Sequence, residues 1–223
     1  MTMVAFITKK CAVCGNENED VQEVIDALPL GPMDLDTRPP ETLRSALPYQ
    51  IQQCSFCGYC NSDLEEAVIS DQNLLQSKEY LDIINDETLP EPVRRFLASA
   101  HLLHKTGNLH RSAMESLHAA WVFDDLNDPI SAMGARLGVV ISLRTELGER
   151  YDENLATILL DVLRRAEQYE LCLMIAQSIK DMEITDDFVK SIVDYQIYLA
   201  ENKDNSCKTV ADVEKWETEK DKL

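Results

Sequence analysis

Two CxxCG motifs constrain this chain more than anything else in it: Cys11-Ala12-Val13-Cys14-Gly15 and Cys54-Ser55-Phe56-Cys57-Gly58, with 39 residues between the pairs. A CxxC turn brings two thiolates onto one ion. The glycine after it takes a positive φ that turns backbone amides toward the sulfurs. Two such knuckles supply four soft ligands, the set zinc takes in a tetrahedral structural site. Cys11, Cys14, Cys54 and Cys57 are therefore the expected ligands of one Zn2+, and residues 1–61 the expected zinc ribbon. A four-thiolate site leaves no open position for water or substrate, so the expected role is structural. A loop-rich segment of this size also buries too little to fold without such a staple.

The same segment holds Pro29, Pro32, Pro39, Pro40 and Pro48, five of the eight prolines of the chain, which favours short strands and loops. Val4–Ile7 reads as a strand entering the first knuckle, and Tyr49–Gln53, with its alternation, as a strand entering the second. Val21–Leu28 has a weak helical pattern.

The pattern changes at Ser62. Ser62 and Glu65 have capping-box spacing and predict a connecting helix over 62–88, from Ser62 to about Asn85. Leu89-Pro90-Glu91-Pro92 breaks it. A helical array follows over 89–205. Its first helix carries Val93, Phe96, Leu97, Ala100 and Leu103 on one face and stops at Gly107. The next is capped by Asn108 and carries Ala113, Leu117, Ala120, Trp121 and Asp124. A third starts at Asp128-Pro129 with Met133, Leu137, Val140 and Ile141 as its apolar face. Further helices are expected near 153–167, 171–182 and 186–201, and a tail helix within 206–223 from Thr209, which has capping-box spacing to Asp212. Short connections predict antiparallel neighbours packed on one another. The small residues of the first pair resemble the tetratricopeptide pattern. Ala113 and Cys172 are nevertheless 59 residues apart, not one period of about 34, so the array is TPR-like only. Gly134 and Gly138 lie one turn apart and suggest a close helix approach. The expected fold is thus mainly α: a small amino-terminal zinc ribbon followed by an antiparallel TPR-like array.

Composition narrows the function. Forty acids against 21 bases give a formal charge of −19. Phosphate binding needs a basic face, and residues 1–61 carry only Lys9, Lys10, Arg38 and Arg44 against eight acids. A basic or neutral protein partner is the easier expectation, and nucleic acid ranks below it. No apolar run approaches the roughly 20 residues of a membrane span, and the amino terminus lacks a secretory core. A cytoplasmic location is expected, where seven cysteines point to thiols and metal rather than disulfides.

Three features stay open. Cys60, which extends the second knuckle to CxxCxxC, is a free thiol, a substitute ligand, a redox thiol or an iron–sulfur ligand. His101, His104, His110 and His118 crowd one stretch without an HExxH or a paired carboxylate, so a helix–helix seam is favoured over a second metal site. In Met33–Pro40, Asp34, Asp36 and Arg38 form either an exposed recognition loop or an internally paired loop packed on the ribbon. No Walker, GxGxxG or nucleophile-elbow motif is present and no catalytic residue is assigned. The expected function is a zinc-binding, non-enzymatic interaction adaptor. A nucleic-acid-binding ribbon and a redox protein using Cys60 are the alternatives.

Four stretches carry a family resemblance: Cys11-Ala12-Val13-Cys14-Gly15, Asp34-Leu35-Asp36-Thr37-Arg38-Pro39-Pro40, Leu47-Pro48-Tyr49, and Cys54-Ser55-Phe56-Cys57-Gly58-Tyr59. Together they resemble the bacterial domain-of-unknown-function family called DUF twenty-two twenty-five. The resemblance covers about the first 60 residues. It implies a metal-binding ribbon with helical repeats in a cytosolic protein, and no activity. Cys60 departs from the small or apolar residue expected after the second CGY.

Overall fold

A computed structural model describes residues 3–182 and 184–220. Residues 1, 2 and 221–223 of the expected ribbon and tail lie outside it. The chain is mainly helical, with a strand hairpin and the cysteine knuckles at its amino-terminal end.

Strand β1 (Met3–Lys10) pairs antiparallel with β2 (Glu17–Asp26). The helix expected over Val21–Leu28 is corrected here. Val21 and Val24 pair across to Ile7 and Val4, and a β-branched run beside a ready partner strand forms a ladder instead of a short helix. The second strand is shorter than expected: β3 is only Gln52–Gln53, paired with β4 (Cys60–Asn61), and Tyr49 ends a 3-10 turn over Arg44–Tyr49.

The connecting helix over 62–88 is corrected too. Residues 62–71 contain no α-helix; a 3-10 turn follows at Gln72–Gln76, and α1 spans only Lys78–Ile84, capped by Ser77. The capping box fails because its groups are used elsewhere. Asp63 Oδ1 accepts from the Glu65 amide, Gln52 Oε1 from the Leu64 amide, and Leu64 O from the Ala12 amide. The segment is a strap laid over the knuckles.

From α2 onward the sequence reading holds closely. The helices are α2 (Glu91–Lys105), α3 (Leu109–Asp125), α4 (Pro129–Glu149), α5 (Glu153–Arg165), α6 (Tyr169–Lys180), α7 (Asp187–Glu201) and α8 (Val210–Lys220). Asn108, Asp128, Asp152 and Asp186 cap α3, α4, α5 and α7 by accepting amides of the first turn. Four helices end alike. Gly107, Asn127, Glu167 and Lys203 take positive φ. The next amide in each case donates back to the carbonyl of Leu103, Phe123, Leu163 or Leu199, the Schellman closure. Thr209 caps α8 in a capping box with Asp212.

Each helix packs on its chain neighbour, and α5 also packs on α7. The core runs through Phe96, Leu117, Trp121, Leu143, Leu159, Leu163 and Val193. Two expectations about α4 are corrected. Its buried face is Ala132, Val139, Val140 and Leu143; Leu137 and Ile141 face solvent. A helix apolar nearly all round does not declare its inner face by pattern. Gly134 has nothing within 4 Å of where a Cβ would stand, so it marks no close approach, and Gly138 only touches Ser116.

The Met33–Pro40 loop is neither an exposed recognition loop nor one whose charges pair with each other: its charged side chains are buried and pair with the helices and with Arg44. Asp34, Asp36 and Arg38 are buried. Asp36 accepts from Trp121 Nε1 and Arg165 Nη1, both at 2.9 Å. Arg136 and Arg165 also hold Asp124, and Arg38 pairs with Asp125. Farther along, Met33 O accepts the Val210 amide and Lys208 O accepts the Leu35 amide, while Leu35 packs with Tyr195, Leu199 and Val213. Leu47 and Ile51 enter the helical core. Residues 89–205 therefore do not complete their own core; the segment between the two knuckles completes it.

Candidate metal centre

The two knuckles are near copies. The Cys11 amide donates to Asn16 O and the Gly15 amide to Cys11 O, at 2.9 and 2.8 Å; the Cys54 amide donates to Tyr59 O and the Gly58 amide to Cys54 O, at 2.8 and 2.9 Å. Gly15 and Gly58 share φ +76, with no neighbour near a built Cβ. Backbone conformation, not space, is what demands glycine there.

The hairpin turn presents the first knuckle and the β3–β4 turn the second, and four side chains from outside the motifs hold them in register. Buried Asn18 accepts from the Ser55 amide at 2.8 Å and from its hydroxyl at 3.1 Å, tying β2 to the second knuckle. Tyr80 of α1 donates to Gly58 O and Tyr59 to Glu66 O, both at 2.7 Å. Asn16 Nδ2 lies 3.4 Å from Cys14 Sγ. A lone Asn or Tyr has no spacing signature, so sequence reasoning missed these; the CGY tripeptide was the only hint, and only for Tyr59.

All four expected ligands come together. The sulfurs of Cys11, Cys14, Cys54 and Cys57 lie within 4.8 Å of one another, a group that could hold a metal ion. Cys11 Sγ is 3.8 Å from Cys57 Sγ, and Cys14 Sγ is 3.6 Å from Cys54 Sγ. A tetrahedron with metal–sulfur bonds of about 2.3 Å has edges of about 3.8 Å. The donor set therefore fits a four-thiolate ion of that size. Cys11 and Cys57 are buried or half-buried, and burial together with the neighbouring thiols pushes their pKa up. Burial acts the same way on Cys14, but the Asn16 amide and side chain outweigh it and lower Cys14 to about 7. Four thiols this close resist joint ionisation, and a bound cation reverses that.

Cys60 is not one of the four. It is fully buried, lies 3.5 Å from Gly58 O beside Tyr80, and burial raises its pKa to about 12. A protonated, inaccessible thiol is a poor nucleophile, which removes the support for the redox alternative. Cys172 is likewise buried on α6.

The histidines form no metal group among the described residues. His118 is half-buried against Phe96 and Trp121, with Nδ1 3.2 Å from Glu115. His101 and His104 flank a groove between α2, α3 and α4 floored by Ala100, Ser112, Ser116 and Gly138. Burial and the Lys105 charge lower the His101 pKa from its usual value. His110 is exposed.

Of the four bases in residues 1–61, three are spent internally. Lys9 pairs with Glu23 and Asp63, Arg44 with Asp34, and Arg38 with Asp125. Among the described residues no helix is long and apolar enough to cross a membrane. No family model, no curated protein and no solved structure matches this chain.

Proposed function

We propose that Cys11, Cys14, Cys54 and Cys57 bind one Zn2+ as a closed structural centre, and that the chain is a non-enzymatic adaptor for a basic protein segment. The closed set of four sulfurs carries the reading: it is a zinc donor set with no position left for substrate. With this reading go the resemblance to the DUF twenty-two twenty-five family, a TPR-like array and a cytosolic setting, where free thiols persist.

Charge supports the partner's chemistry. Strand β2 presents Glu17, Glu19, Asp20 and Asp26 to solvent, beside exposed Phe6, Ile25, Leu28 and Leu30. That surface suits a segment carrying Lys or Arg together with apolar side chains. The internal pairing of Lys9, Arg38 and Arg44 argues against nucleic acid as the ligand.

The test has two parts. Metal analysis of the purified chain should give one zinc, and Cys54→Ser should give none. The zinc-loaded chain should bind a Lys/Arg-rich amphipathic peptide in a salt-dependent manner, and reversing Glu17, Glu19 and Asp20 to Lys should abolish this. Binding of single-stranded or duplex DNA in preference to the peptide would overturn the adaptor reading.

A further inference from the structure

Helix α4 turns a large apolar face to solvent. Ile130 is 77% exposed, Ile141 63% and Leu137 39%. Gly134 between them is open, with nothing within 4 Å of a built Cβ. At 100° per residue Ile130, Gly134, Leu137 and Ile141 fall within about 60° of the helix surface, flanked by Met133 and Gly138. Among the described residues these side chains remain open to solvent, with Ile141 at the border of the groove between α2, α3 and α4.

The order of sizes along the stripe is self-complementary when read backwards. In an antiparallel pair with residue numbers summing to 271, Ile130 meets Ile141 and Gly134 meets Leu137. Leu137 finds the open glycine, and each isoleucine finds the other. A parallel pair would instead set Leu137 on Leu137 and leave the glycines facing each other.

Charge favours this face. Each chain has a formal charge of −19, so two copies repel wherever acids face each other. Residues 129–145 contain no Asp or Glu, so this stripe brings no acid against acid.

We propose that this face of α4 docks on the same face of a second copy of the chain, antiparallel, with Leu137 over the partner's Gly134. Ile130 to Ile141 spans about 17 Å of helix. Its footprint falls below the roughly 800 Å² per partner of a standard stable interface. The dimer is therefore a weak, concentration-dependent one. It uses neither the cysteines nor the acidic β2 surface, so it stands independently of the adaptor reading.

Sedimentation equilibrium of the full zinc-loaded chain, from about 10 µM to several hundred µM, tests it. The parent chain should shift from monomer to dimer across that range. Gly134→Gln fills the hole without touching the monomer's own atoms, and Ile141→Glu adds repulsion at an exposed site. Each should raise the dimer Kd by about ten-fold or more, while the monomer stays folded, with Gly134→Gln melting no lower than the parent because a glycine leaves a helix interior. Oxidising a mixture of Ile130→Cys and Ile141→Cys chains should give a mixed cross-linked dimer in higher yield than either chain alone. A parent chain that stays monomeric at several hundred µM overturns the proposal. So does a dimer that survives both substitutions, or cross-linking no better in the mixture.

Discussion

The two ends of this molecule are held together by different means. Around the cysteines the buried apolar cluster is small, built from Val21, Tyr59, Leu64, Ile69, Leu75 and Tyr80 about the thiols themselves. In the helical array a continuous core runs from Phe96 to Val193 and takes in side chains from six helices. The first region has little to fold around until its thiols share an ion; the second needs none. Stability should therefore respond to metal at one end and to packing at the other.

The largest expected effect separates the two ends outright. Removing the metal by chelation, or substituting Cys54→Ser, should withdraw on the order of 10 kcal/mol from the cysteine end. Most of the far-UV helical signal should stay. Loss of the whole helical signal on chelation would show that the strap and α1 transmit the metal's stabilisation into the array.

The next effect strikes the array alone. Trp121→Ala removes a buried ring and its bond to Asp36, and should cost about 3–5 kcal/mol. Asp36→Ala leaves Arg165 short of its partner in a buried setting and should cost a similar amount. Both should keep their zinc. Denaturant melts with parallel metal analysis check this, and loss of metal in either would erase the distinction between the ends. His101→Ala and His104→Ala should also leave metal content unchanged.

Acid should dismantle the ends in a fixed order. Protons compete with metal for thiolates, so metal leaves as pH falls. In the array, burial pushes Asp124 up, but the Arg136 and Arg165 guanidiniums outweigh it and hold its pKa below the usual carboxylate range. Burial likewise opposes Lys208 and Ser206 at Asp204, which is lowered to about 2. A depressed folded pKa gives stability that is present above the unfolded value of about 4 and is lost as pH falls through the folded one. Metal release, followed with a chromogenic chelator, should precede the loss of helical signal, which should fall below about pH 4. The reverse order would contradict the comparison.

The smallest effects come from backbone conformation. Gly15→Ala or Gly58→Ala places a side chain at positive φ and should cost about 1–2 kcal/mol, felt at the metal. Lys203→Gly relieves the same conformation after α7 and should raise the melting temperature of the array by a few degrees.

What the sequence revealed follows the same division. Helix starts were legible because Asn108, Asp128 and Thr209 combine a capping side chain with a following helical segment. The grouping of Cys11, Cys14, Cys54 and Cys57 was legible because CxxCG is a spacing with a geometric cause. The strap over 62–77 was not, because Ser62 and Glu65 advertise a helix locally while Asp63, Leu64 and Gln52 bind elsewhere. Tertiary contacts decided that segment, and no window along the chain contains them. The same holds for Asp36, whose partners Trp121 and Arg165 lie 85 and 129 residues away.

The segment between the knuckles has a consequence for how the chain is made. Cys11, Cys14, Cys54 and Cys57 can meet as soon as the first 60 or so residues have emerged from the ribosome. The segment they enclose cannot find its place then, because Trp121, Arg165 and Val210 have yet to be synthesised. An early-closed ring must wait with Leu35 and Asp36 in water until α8 arrives. The seating of Met33 against Val210 thus waits on α8.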